Sequence, residues 1–407
     1  MRIALVTFRF PHPLFGGGSS RAFHQMEELR RRGHLVRLVT PPPLPPAAAE
    51  VEAAVRPLCE KVVYYRTGGL QSAASALAAP FMPRPLQTSL QWSGSGRRAL
   101  ASVLADGRVD VLHAQLIRTA PAVRSAPLRL GRVLDLIDAL SLNLTRRATE
   151  EPAPLSWLLA HEASRVRRYE HAVLRAYDEV LICSAFDRAA IGDPRIVVAP
   201  MGVDLPAMPR EESEIVADRV VFTGAMWYFP NENAVRWFAA EIWPRVRARV
   251  PRATFIIVGD RPTAAVRRLA DLPGITVTGH VPSVERVLRT ASVVVAPMQA
   301  GSGMQTKVLS AMAHDVPVVA TSYVLCGIPA TPGEHLAVAD SPETFASELV
   351  DLMQDGGRRA RLASAARQFV TEHYSWRHSV DLLEAAYERA CEAGSRRVAD
   401  SRIPVEA

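Results

Sequence analysis

Residues 296–321 read APMQAGSGMQTKVLSAMAHDVPVVAT. The run Val293–Ala296 is apolar and β-branched and stops at Pro297, as a buried strand does. Gly301 and Gly303 break regular structure. From Thr306 to His314 the apolar residues Val308, Leu309, Met312 and Ala313 fall at helical spacing. Asp315 and Pro317 end that helix, and Val316–Ala320 has the composition of a second buried strand. A strand, a glycine loop and a helix in this order predict an α/β fold. Such folds place ligands at the carboxyl ends of their strands, and helix N-termini favour phosphate.

Lys307 falls in the first turn of this helix. It is one of two lysines, the other being Lys61, against 46 arginines. A compact ammonium in so arginine-rich a chain points to a specific point-charge contact, such as a phosphate oxygen. The alternative at this stage is a solvated lysine on a helix face.

The chain around this stretch repeats the pattern. Arg2–Phe8 predicts a buried strand, Phe10–Ser20 a proline- and glycine-rich loop, Arg21–Arg32 an amphipathic helix and Leu35–Val39 a second strand. Gly16, Gly17 and Gly18 are consecutive, so a spaced dinucleotide fingerprint is absent, but they let a backbone approach a bulky ligand. Leu70–Leu100, with Pro80, Pro83 and Pro85, reads as an irregular surface insertion. Such a segment packs as an excursion, covers an acceptor or touches lipid headgroups. DVLHA (110–114), VLDLI (133–137) and EVLIC (179–183) predict further strands, with His113 and Asp138 at carboxyl ends. His113 as a structural histidine and Asp138 as a helix cap are the plainer readings. A polar segment, Leu205–Asp218, predicts a linker. A second α/β series then runs from Arg219 to Ser375 and ends in a long helix from Trp376. The expected organisation is a Rossmann-like domain over 1–204, the linker, a second such domain over 219–375, a helix 376–393 returning to the first domain, and a disordered tail over 394–407.

A chain of 407 residues exceeds one ordinary core. Hydrophobic content of 48% with 22% charged residues fits a globular protein and not a disordered one. No apolar run is long enough to span a bilayer, and no signal-peptide pattern follows Met1. Cys59, Cys183, Cys326 and Cys391 lack metal-ligand spacing and read as reduced thiols of a cytoplasmic protein. The net charge of +7 suits anionic small molecules or an anionic membrane surface. No aromatic-interleaved basic stripe argues for nucleic acid.

With these elements in place, the sequence resembles the GT-B glycosyltransferases, and within them family 4, whose members retain anomeric configuration. GSGMQTKVLSAMA followed by DVPVVAT resembles the family's glycine loop and Leu-Glu-Ala-Met-Ala helix. Pro200–Asp204 (PMGVD), GHV at 279–281 and FVTEHYSW at 369–376 match further family segments. FTGAMWYFPNENAVRWF and PHPLFGGGSSR are most similar to an exopolysaccharide and exosortase-associated branch. The resemblance implies an α/β, GT-B fold with two Rossmann-like domains facing across a cleft. It implies transfer of a sugar from a nucleotide-diphosphate sugar to an acceptor hydroxyl, with no cofactor and no metal. The protein would be cytoplasmic, with peripheral contact at the inner membrane face through the N-terminal domain.

Carried onto this chain, the resemblance places the donor on Gly17, Gly18, Gly224, His280, Val281, Gly301, Ser302, Gly303, Met304, Gln305 and Ser310. Lys307 would meet the diphosphate, and His113 and Asp138 would orient sugar or acceptor hydroxyls. The chain departs from the family at Ser302 and Ser310, where the family has a glutamate pair, at Ala225, where it has arginine, and at Gln115, where it has a second histidine. A serine cannot offer the paired acceptors of a carboxylate. A different enzyme on the same architecture and a silent binding protein therefore stay open as alternatives.

Overall fold

The computed structural model describes residues 1–12, 16–44, 48–66, 85, 86, 92, 94–300 and 304–401. It divides into two compact units, Met1–Pro200 with Trp376–Ala407, and Met201–Ser375.

The first unit holds a seven-stranded sheet: β1 Arg2–Val6, β2 Leu35–Thr40, β3 Lys61–Tyr64, β4 Val111–Gln115, β5 Gly131–Asp135, β6 Glu179–Ile182 and β7 Val197–Val198. Their spatial order is β3-β2-β1-β4-β5-β6-β7, and every pair is parallel. Continuous apolar strands such as IALV and VLHA belong in a sheet covered on both faces. One face packs under the helix Gly16–Arg31 and the last helix, Trp376–Asp400. Val380, Leu383, Ala386, Tyr387 and Ala390 of that last helix join Ile3, Leu5, Met26, Val111 and Val133 in one buried cluster.

The second unit holds six parallel strands: β8 Arg219–Thr223, β9 Thr254–Val258, β10 Ile275–Gly279, β11 Val293–Ala296, β12 Val318–Ala320 and β13 Ala337–Val338. Their order is β10-β9-β8-β11-β12-β13. The core is a single cluster, from Val203 to Tyr374 in sequence.

Several expectations change. The three glycines do not form a loop: Gly16 opens the helix Gly16–Arg31. The segment Leu205–Asp218 is no free linker. Arg210 donates to the carbonyls of Arg289 at 2.8 Å and Asp315 at 3.2 Å, and Arg289 reaches back to Glu214 and the Pro209 carbonyl. These contacts clamp the segment onto the second unit. The final helix runs to Asp400, so residues 394–400 are helical instead of a disordered tail. The strand expected from Val316 begins at Val318, because Asp315 turns at φ 57° and holds Arg367 with its carboxylate. The helix expected over 233–250 starts at Phe229 and widens into a π turn at Phe238–Ile242. Pro244, two residues beyond it, lacks the N–H that a regular turn would need. The insertion expected over 70–100 lies mostly outside the described residues; its end enters the helix Gly94–Leu104.

Candidate functional site

In an open parallel sheet the strand order reverses at one point, and the crevice beyond the carboxyl ends there accepts ligands. In the second unit the reversal falls between β8 and β11. β8 runs out into Gly224 and Ala225, β11 into Pro297 and Met298. Lys307, in the first turn of the helix Thr306–Ala313, sends its ammonium to this point. It donates to the side-chain oxygen of Asn231, lies 3.3 Å from Gln305 Oε1 and 3.5 Å from the Met298 sulfur, and sits 5.0 Å from the centre of the Phe222 ring. Every one of these partners is neutral. Burial pushes the ammonium pKa down to about 7. The solvated-lysine alternative therefore fails, since a lysine in water keeps its ordinary pKa and needs no such nest.

The other residues expected on this side divide. Gln305 is 9% exposed and contacts Lys307 directly. Ser310 lies one turn beyond Lys307, half-buried, and its carbonyl accepts from His314 Nδ1 at 2.7 Å. Met304 packs against the core. Gly224 is placed by a close approach: a Cβ there would lie 2.7 Å from Asn231 Nδ2. His280 and Val281 follow β10 at the sheet's outer strand, His280 exposed and Val281 packed on the core. Gly301, Ser302 and Gly303 lie outside the described residues.

In the first unit the reversal falls between β1 and β4. Gly17 and Gly18 stand in the first turn of the helix Gly16–Arg31 at that edge. A Cβ on Gly18 would lie 3.4 Å from Ile137 and 3.8 Å from Leu116. Leu116 and Ile137 leave β4 and β5 with φ of 68° and 67°, a conformation that costs any residue with a Cβ and a β-branched one most. Asp138 follows. It accepts from the Asn143 side-chain amide at 2.7 Å, and burial, then the Asp187 carboxylate, raise its pKa to about 6. The plainer reading of Asp138 as a helix cap is not met: the helix Leu140–Glu150 has Ala139 at its N-cap.

His113 requires correction. It is the third residue of β4 rather than its carboxyl end, which Gln115 occupies. It is 1% exposed, and its Nδ1 lies 2.8 Å from the Tyr387 hydroxyl. Burial lowers its pKa to about 4, so the ring is neutral at physiological pH. Among the described residues its Nε2 has no hydrogen-bond partner.

Two features escaped the sequence reading. Asn231 was hidden because an asparagine inside FPNENA looks like any helix-surface amide. Arg21 looked like one more surface arginine, yet it is fully buried. It donates to Asp135 at 2.6 Å and to the carbonyls of Pro200 at 2.9 Å and Ala199 at 3.0 Å. Burial opposes its charge, but Asp135 holds it. Among the described residues no cluster of His, Cys, Asp and Glu has the form of a metal site, and no helix is long and apolar enough to cross a membrane.

Two open parallel sheets, each with a reversal point, one of them carrying a half-buried lysine, are consistent with the GT-B fold. Residues 16–203 match the model for a glycosyl transferase 4-like domain, and residues 217–355 that for glycosyl transferases group 1. Spanning most of the chain between them, the two matches show that it belongs to the group 1 glycosyltransferases.

Solved structures agree on the fold. A sucrose-phosphate synthase from Thermosynechococcus elongatus is 15% identical with a TM-score of 0.69, over 96% of this chain and 99% of that one. HepE from Anabaena, solved with UDP and glucose, is 15% identical with a TM-score of 0.62, over 95% and 99%. A variant of S. aureus TarM, solved with fondaparinux, α-GlcNAc-glycerol and UDP, is 11% identical with a TM-score of 0.66, over 95% and 99%. No curated protein matches the sequence.

Proposed function

We propose that this chain moves a sugar from a nucleotide-diphosphate sugar to an acceptor hydroxyl with retention of configuration, in polysaccharide, glycolipid or natural-product glycoside assembly. The observation that carries the reading is Lys307: an ammonium held among neutral groups where the sheet order reverses. A diphosphate supplies the missing counter-charge. As the glycosidic bond breaks, negative charge grows on the leaving diphosphate, and a donor already aimed there stabilises the transition state more than the ground state. The leaving phosphate assists in taking the acceptor proton, so no protein nucleophile is required. Asp138, partly protonated near pH 6, orients sugar or acceptor hydroxyls. His113 supports that edge from within the sheet.

The nucleotides bound in HepE and TarM support a uridine nucleotide as the first donor to test. Peripheral membrane contact belongs to the same reading. Leu155, Trp157 and Leu158, at the start of the helix Leu155–Leu174, are 39%, 73% and 65% exposed and offer the aromatic and aliphatic groups that enter a headgroup layer.

The test is a thermal-shift screen of nucleoside diphosphates followed by turnover with the matching sugar nucleotide and NMR of the product anomer. Stabilisation with turnover and a retained anomer is the expected result. Stabilisation without turnover for any donor would make the chain a binding protein, and an inverted anomer would overturn retention.

A further inference from the structure

Asn231 lies on the helix Phe229–Trp237 and is 5% exposed. Both ends of its amide are committed. Nδ2 donates to the Ala225 carbonyl at 3.0 Å, and Oδ1 accepts from Lys307. A carbonyl only accepts and an ammonium only donates, so this orientation of the amide is forced. Gly224 leaves the room for it, because any Cβ there would meet Nδ2 at 2.7 Å. Among the described residues, the other groups beside the ammonium are the Gln305 amide oxygen, the Met298 thioether and the Phe222 ring.

A buried ammonium is ordinarily paired with a carboxylate. An aspartate has the shape of asparagine and would make that pair, but it would cancel the charge in a site of low dielectric. We propose that Asn231 is a positioning residue that fixes Lys307 without neutralising it, reserving the positive charge at the β8–β11 reversal point for an anionic ligand of the diphosphate class. The proposal rests on the reading of Lys307 as the diphosphate contact. Among the described residues, every group printed against the ammonium is neutral.

The experiment measures binding of inorganic pyrophosphate, which has no base to add contacts of its own, to the full-length protein by calorimetry between pH 6 and 9. Wild type, Asn231→Ala, Asn231→Asp and Lys307→Ala are compared, with melting temperatures recorded alongside. Asn231→Ala loses the anchor but keeps the charge, and binds about tenfold more weakly. Asn231→Asp, the closer isostere, binds on the order of a hundredfold more weakly, because an internal ion pair now competes with the ligand. Its affinity also stops falling between pH 7 and 9, since the carboxylate keeps Lys307 protonated. A residue with only a structural role would weaken binding in step with the melting temperature and leave the pH profile alone. If Asn231→Asp does not fold, the alanine variant decides through the same two readouts. Wild-type affinity and pH dependence in both Asn231 variants, with binding lost in Lys307→Ala, overturn the proposal alone. Unchanged binding in Lys307→Ala overturns the diphosphate reading beneath it.

Discussion

At the scale of single residues, Lys307 carries the testable chemistry. Lys307→Ala should lower turnover about a hundredfold and raise the donor KM much less, because its partner's charge grows toward the transition state. Wild-type turnover in this variant would remove the lysine from the mechanism. The pH dependence follows from the same group. In the free protein its pKa is lowered to about 7 by burial, and a bound diphosphate raises it. Binding is then at full strength below about pH 7 and weakens as pH rises toward the pKa of the complex. Calorimetry in buffers of different ionisation enthalpy should record proton uptake on binding near pH 8. Ser310 offers a separate test. It stands one turn from Lys307 in VLSAMA, where the resembling family has a glutamate for the ribose. Ser310→Glu should tighten nucleoside diphosphate binding, and a weaker-binding variant would show that the ribose lies elsewhere.

Among elements, the last helix and β5 are the informative pair. A Cβ on Gly394 would lie 2.5 Å from the Arg129 carbonyl oxygen, and one on Gly131 would lie 2.9 Å from the backbone of Ala390. Glycine in a helix costs about 1 kcal/mol relative to alanine, so Gly394→Ala would stabilise an isolated helix. Here the new methyl meets rigid backbone, and overpacking of this kind costs about 1–3 kcal/mol. The clash outweighs the propensity gain in Gly394→Val, where the side chain is larger and the gain over glycine is smaller than alanine's. That variant should melt lower by on the order of 5 °C. An unchanged melting temperature would mean that the helix shifts freely along the sheet. The same pair explains why the helix ending was misjudged from sequence. Residues 394–400 are polar and read as a tail. Arg397 in fact bonds to the Leu130 carbonyl at 2.7 Å and to Asp178, which holds the helix to its end.

For the molecule as a whole, each buried cluster draws its residues from one unit. The second unit carries a complete core from Val203 to Tyr374, together with Lys307, Asn231 and Gly224. A fragment 201–375 should therefore fold with a cooperative melt and bind pyrophosphate with the affinity of the full chain. The complementary cut should fail: ending the chain at Ser375 removes Val380, Leu383 and Tyr387 from the first unit's core and should give insoluble protein. A soluble, cooperatively melting 1–375 chain would show that the last helix is dispensable.

Most strands, the two α/β series and the position of Lys307 were legible in the sequence because they depend on local pattern: β-branched runs, helical spacing and glycine breaks lie within a few residues of one another, whereas β3 Lys61–Tyr64 and the two-residue β13 Ala337–Val338 were not read as strands. What Lys307 touches was not legible. Asn231 precedes it by 76 residues, and only the reversal of strand order between β8 and β11 brings the two side chains together. Arg21 and Asp135, 114 residues apart, meet for the same kind of reason, and no sequence window distinguishes a buried arginine from an exposed one. His113 was assigned to the wrong place along its strand because a run of apolar residues marks a strand without marking its end. The sequence determined which segments are buried and which fold they build. The tertiary structure alone decided which polar side chains are buried with them, because that depends on the neighbours each one finds across the sheet.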